Sequence, residues 1–184
     1  MKILFAHRFL PAQYRHLAAA LAARGDTCVF LHAEGEEAPP GVRAIRFAST
    51  RRASAETHHY LQGLENAVLD GQAAYRQARE LAQSGFRPDV ICAHAGFGPG
   101  LYLAEAFRGV PILGYFEWFY SARGADADFL DPADVTPDDE LRIRTRNAQL
   151  LLELEACRRG VVPTAFQHSQ FPEAYRSRLS ILHD

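Results

Sequence analysis

Short apolar runs alternate with stretches of three-four helical periodicity along the whole chain, and this alternation limits the fold more than any other feature. Ile3 to Ala6 is apolar at the extreme N-terminus, and Tyr14, Leu17, Ala18 and Leu21 then fall on one helical face before Gly25. Thr27 to Leu31 and Val42 to Phe47 read as strands. Ser54 is placed to cap a long helix carrying Leu61, Leu64, Val68, Gly71, Tyr75, Ala78 and Ala82, which Gly85 and Pro88 end. Asp89 to Ala93 is a further strand, Leu101 to Phe107 a helix, and Ile112 to Phe116 another buried strand. Thr136-Pro137-Asp138-Asp139 has the cap, the proline and the carboxylates of a helix start, and that helix runs to Gly160. Val161 to Thr164 is strand then cap, a short helix follows, and Arg178 to Leu182 is the last strand. Strands and helices in this alternation predict an α/β domain with a doubly wound parallel sheet.

The chain of 184 residues suits one domain and is short for two. A net charge of -2 argues against a dominant nucleic-acid footprint. Cys28, Cys92 and Cys157 are odd in number and widely spaced, and two fall in strands, so buried free thiols in a reducing compartment are expected. No signal peptide and no stretch of membrane-span length is present. These features predict a cytoplasmic protein, with peripheral membrane contact left open.

Several familiar chemistries lack their motifs. No G-x-G-x-x-G follows the first strand and no phosphate-binding G-x-x-x-x-G-K-[ST] occurs, which removes the usual support for NAD-dependent and ATPase readings. The Gly96, Gly98 and Gly100 turn fits neither motif, although it would leave helix-start N–H groups beside His94. His58 and His59 are adjacent and would point to different sides of the long helix, and His16 is expected to be partly buried. His7 and His94 stand apart, because each follows a predicted central strand and neighbouring strand ends converge on one crevice. Asp126-Ala127-Asp128 lies in an acidic loop that no His or Cys joins, so solvated loop is a better reading than metal site. Glu117 sits among Phe116, Trp118, Phe119 and Tyr120, an apolar place for a carboxylate, and needs a partner or a wet cleft. The same cluster suits sugar-ring stacking and equally a packed loop with one buried salt bridge.

Taken in order, FLPAQYRHLAAALAARGD, DVICAHAGFG, ILGYFEWFY with RGADADFLDP, and VVPTAFQHSQFPEAYRSRLSILHD resemble the N-terminal domain of family 4 glycosyltransferases. Within that family the resemblance is to a bacterial subgroup with Pro-Ala-Gln in its first loop, where many relatives carry Gly-Gly. The resemblance implies a Rossmann-like, N-terminal half of a GT-B glycosyltransferase. It implies retaining, hexosyl-type transfer from a nucleotide-sugar to a saccharide or other hydroxyl acceptor, with no cofactor and no metal. It places His94 at the reaction centre, and His7, Gln13, Gly96, Phe97 and Glu117 are expected on the acceptor side. Pro11, Ala12 and Gln13 then form the loop nearest the donor diphosphate. Residues 1–184 are expected to be the acceptor-side domain alone. The chain stops at ILHD directly after a strand, and the family's E-x7-E motif belongs to a second, nucleotide-sugar-binding domain that is absent here. Such a fragment is expected to be inactive by itself, since both halves position the reacting atoms. Two other readings compete: a free-standing module that binds a glycan or phosphorylated ligand without chemistry, and a flavodoxin-like or receiver-like regulator. The loop HRFLPAQ lacks the acidic pair a receiver would carry.

Overall fold

A computed structural model describes residues 1–35, 37–131 and 135–183. Among the described residues seven strands form one sheet in which every neighbouring pair is parallel: β1 (Lys2–Ala6), β2 (Thr27–His32), β3 (Val42–Arg46), β4 (Val90–His94), β5 (Ile112–Tyr115), β6 (Arg159–Val162) and β7 (Leu179–Ile181). Their order is β3-β2-β1-β4-β5-β6-β7. The chain therefore winds outward from β1 in one direction and from β4 in the other. Between β1 and β4 lies the switch point, the place in open α/β sheets where strand ends diverge and leave a crevice. The doubly wound, Rossmann-like α/β fold expected from the sequence is the fold observed.

Strand alternation distributes the core between two faces. Leu4, Ala6, Ile91 and Ala93 point to the face covered by α2 (Gln62–Gln83) and α4 (Pro137–Ala156) and join the larger apolar cluster. Ile3, Phe5 and Cys92 point to the face covered by α1 (Arg15–Ala23), with Tyr14, Ala18 and Phe30. The remaining helices are short: α3 (Leu103–Ala106), α5 (Ala165–Gln170) and α6 (Glu173–Arg176). Cys28, Cys92 and Cys157 are free and buried. Among the described residues no helix is long and apolar enough to cross a membrane.

Two helix starts follow the sequence. Thr136 accepts from the Asp139 amide at 3.2 Å while the Asp139 carboxylate reaches back to the Thr136 N–H, a complete capping box. Thr164 accepts from Gln167 in the same way. Others depart from expectation. Ser54 caps only a local turn, through Glu56, and α2 begins at Gln62, so Leu61 is exposed. The buried stripe of α2 runs through Ala67, Asp70, Gly71, Ala74, Ala78 and Leu81, rotated from the predicted face because a larger neighbour would not fit against the β4 loop. His58 and His59 precede the helix and stack on each other instead of diverging, and His16 is exposed because α1 turns it away from the sheet. The Leu101–Phe107 helix shrinks to the four residues of α3.

Candidate functional site

Ala6 pairs with Ala93 in register across the switch point, so the next residues along each strand, His7 and His94, emerge side by side. Both continue the alternation of the α1 face. Their rings meet edge to face with centroids 4.3 Å apart, and Phe97 leans on both at 5.3 and 5.2 Å. His7 is 2% exposed and His94 1%, which makes them a buried pair at the mouth of the crevice.

Backbone partners set their tautomers. His7 Nδ1 accepts from the Phe9 N–H at 2.7 Å, which leaves the proton on Nε2. His94 Nδ1 lies 2.8 Å from the Ala95 carbonyl, which can only accept, so Nδ1 carries a proton. Neither Nε2 has a hydrogen-bond partner among the described residues. His7 Nε2 thus carries a proton, and both Nε2 atoms are buried, that of His94 beside Glu117. Burial, with His94 beside it, depresses the His7 pKa to about 3, so its ring is neutral at physiological pH.

Glu117 arrives from the segment after β5. Its Oε2 stands 3.6 Å from His94 Nε2, and its Oε1 accepts from Gln13 Nε2 at 2.5 Å. The Gln167 amide of α5 holds the Glu117 carbonyl at 2.8 Å. Glu117 is therefore both partnered and half open to solvent. Its pKa is lowered chiefly by His94, whose protonated ring would point an Nε2–H at the carboxylate, against the opposing effect of burial, and Gln13 adds to the lowering. Gln13 lies on a short 3-10 turn, Ala12–Tyr14, directly after Pro11. Ala12 holds φ at +42°, a left-handed conformation that costs a non-glycine residue on the order of 1–3 kcal/mol. The candidate residues of the first loop, the β4 loop and the β5 segment are brought together at one lip.

The glycines of the β4 turn answer to packing as much as to any ligand. A Cβ on Gly98, where φ is +99°, would run into the Ala67 carbonyl of α2. One on Gly71 would lie 2.8 Å from the Gly98 carbonyl. The Gly96 N–H, expected to be free for an anion, donates to Glu153 Oε2 at 2.8 Å instead.

Three residues that sequence reading passed over brace this lip. Glu153 of α4 sits beneath the β4 loop, 6% exposed, and burial pushes its pKa up to about 8. Asp70 of α2 accepts from the Ser49 hydroxyl, from Arg52 at 3.0 Å, and lies 3.5 Å from Arg8, which follows His7. Arg8 also pairs with Glu34 at 2.9 Å. A Glu seven residues before Gly160 and an Asp next to Gly71 carry no local signature of such a role. The Asp126-Ala127-Asp128 carboxylates are occupied locally, Asp128 by the Gly124 and Ala125 amides and Asp126 by Trp118 Nε1 at 3.3 Å. Among the described residues no three His, Cys, Asp or Glu side chains are grouped to hold a metal ion.

Solved structures similar to this chain include glycosyltransferases of the GT-B fold. Apo UGT2 of Phytolacca americana superposes with a TM-score of 0.57 at 15% identity, over 91% of this chain and 46% of its own. The calicheamicin glycosyltransferase CalG4 gives 0.57 at 16%, over 99% and 52%. A sucrose-phosphate synthase structure from Thermosynechococcus elongatus gives 0.59 at 14%, over 100% and 89%. The chain thus spans about half the length of the first two. At these identities the likeness speaks for the fold, the Rossmann-like half of a GT-B enzyme. No curated protein sequence matches the chain. Residues 24–184 match the glycosyl transferase family 4 group, a match that starts after the Pro11-Ala12-Gln13 loop and takes in the β4 turn, Glu117 and both capped helices. By that match over most of its length, the chain belongs to the glycosyl transferase family 4 group.

Proposed function

We propose that this chain is the acceptor-side domain of a retaining, metal-independent hexosyltransferase, which moves a sugar from a nucleotide-sugar to a saccharide or other hydroxyl acceptor. The observation that carries the reading is the buried His7–His94 pair at the switch point, with His94 Nε2 facing Glu117 and Glu117 held by Gln13. In this reading the nucleotide-sugar is held by a second domain outside this chain, and residues 1–184 alone transfer no sugar. Support for a shared task comes from the length relation to its structural neighbours, one of which was solved with UDP-2fluoro-glucose and pterostilbene.

The geometry suits such a role. With its ring neutral, His94 accepts at Nε2 from a sugar hydroxyl, and the His7 Nε2–H donates to a neighbouring oxygen. Retaining transfer without an enzymatic nucleophile depends on orientation and on stabilising a cationic sugar centre. The Glu117 carboxylate supplies negative charge near that centre and keeps His94 oriented. Pro11, Ala12 and Gln13 form the edge closest to the donor, with Gly96 and Phe97 walling the acceptor side. Metal independence draws support from the Asp126-Ala127-Asp128 carboxylates being spent on local amide and indole groups. The site is proposed to work in the cytoplasm, where nucleotide-sugars and reduced cysteines coexist.

Protein-observed NMR titration with UDP, UDP-sugars, GDP-sugars and neutral saccharides checks this directly. Saccharides should move signals of His7, Gln13, His94 and Glu117, nucleotides should move few, and His94→Ala should abolish the saccharide response. Tight nucleotide binding that ignores His94→Ala would sink the proposal.

A further inference from the structure

Gly96 also lines a cavity of about 170 Å³ between the start of α2, Tyr120 and the middle of α4. Its chemistry is one-sided. Arg146 and Gln149 line it, and among the described residues no acidic side chain does. The Arg146 guanidinium lies 3.7 Å from the Tyr120 ring centroid, stacked on its face. Tyr120 is itself fixed: its N–H donates to Asn147 Oδ1 at 2.8 Å and its carbonyl accepts from Asn147 Nδ2 at 2.7 Å. The cation is therefore preorganised, yet among the described residues it has no ion pair. Its neighbours do: Arg142 reaches Asp139 and Arg123 reaches Glu140, each at 2.8 Å. Gln149 is 7% exposed; its Nε2 has no well-formed hydrogen bond among the described residues, although it lies close enough to Glu153 to act against burial on that acid.

We infer that this cavity is an anion subsite of the acceptor site, taking a carboxylate or phosphate carried by the acceptor. The inference rests on the acceptor-domain reading above. The Arg146 fork matches either group through paired N–H···O bonds, and the Gln149 amide supplies a further donor from the cavity wall. Gly96, two residues beyond His94, joins this cavity to the lip where transfer takes place. A negatively charged acceptor anchored here presents its hydroxyl towards His94, and a neutral acceptor loses that anchor.

The test uses the isotope-labelled chain titrated with glucose, glucuronate, glucose 6-phosphate and inorganic phosphate, alongside Arg146→Gln and the control Arg144→Gln. Glucuronate or glucose 6-phosphate should shift the Gly96 and Tyr120 amides and bind more tightly than glucose. Arg146→Gln should weaken that binding by about tenfold or more, and Arg144→Gln should leave it unchanged. The two sugar acids tell carboxylate from phosphate. Equal binding of glucose and both acids, or acid binding untouched by Arg146→Gln, overturns the subsite. So does binding of inorganic phosphate without either sugar acid. If glucose moves the His94 signals while the acids ignore Arg146, the acceptor-domain reading stands and the subsite falls. If the acids bind through Arg146 and no saccharide reaches His94, the acceptor-domain reading falls and with it the subsite's place in an acceptor site.

Discussion

Two buried carboxylates brace the two loops of the lip, and they do so in opposite ways. Asp70, 3% exposed, supports the loop after β1 from within a network of Arg8, Arg52 and Ser49. Glu153, 6% exposed, supports the loop after β4 through the Gly96 amide, with the Gln149 amide near it and no ion pair among the described residues. Similar burial yields an ion-paired brace in one place and an acid with a pKa near 8 in the other. The difference lies in whether the fold delivers a guanidinium. An Arg on the adjoining loop repays the desolvation of Asp70, whereas Glu153 meets only neutral dipoles and keeps its proton up to mild alkali. One loop is thus anchored by charge and the other by a proton.

Removing the charged anchor should have the largest effect. Asp70→Ala leaves Arg8 and Arg52 without their shared partner and should cost about 3–5 kcal/mol, read by urea denaturation. A wild-type stability in that variant would mean the Asp70 network is idle. Gly98→Ala tests the other loop's dependence on packing instead of on its carboxylate. A Cβ at φ +99° against the Ala67 carbonyl combines backbone strain with overpacking and should cost about 3 kcal/mol in the same assay. The smallest effect, and the sharpest for the comparison, is on pH. Folded Glu153 keeps its proton to about 8 and the unfolded chain releases it near 4.5, so stability falls as pH rises across that window. Glu153→Gln keeps an acceptor for Gly96 and should remove that loss, gaining about 2 kcal/mol or more at pH 8. His7 acts in the other direction, since its folded value near 3 lies below the unfolded 6.5 and stability is lost as pH falls through that range. Thermal melts of the wild type should therefore peak between about pH 4.5 and 6.5. A Glu153→Gln profile as steep as the wild type's above pH 6.5 would show Glu153 ionised in the fold.

Much of the site was legible. Period-two alternation puts Phe5 and His7 on one face and Cys92 and His94 on one face, and the parallel sheet then brings the rings together. Glu117 among aromatics announced a carboxylate in need of partners, and Gln13 and His94 supply them. What escaped were residues whose meaning depends on the opposite helix. Asp70, Arg146 and Glu153 sit in helical sequence with no motif around them, and nothing local says which loop or cavity each one meets. The same blindness rotated the predicted face of α2. Small residues, not the larger apolar ones, were pressed against the β4 turn, because Gly98 approaches the Ala67 backbone too closely for a side chain.

Local chemistry, then, determined what is written within a few residues: the strands, the helix caps at Thr136 and Thr164, and the histidines at two strand ends. These rest on backbone hydrogen bonding and periodicity, whose range is a turn or a pleat. The order of the strands, the tautomers of His7 and His94, the proton on Glu153 and the open guanidinium of Arg146 were decided only by the tertiary structure. Each depends on burial and on partners far away in sequence, and desolvation has no value until the chain has closed around the group.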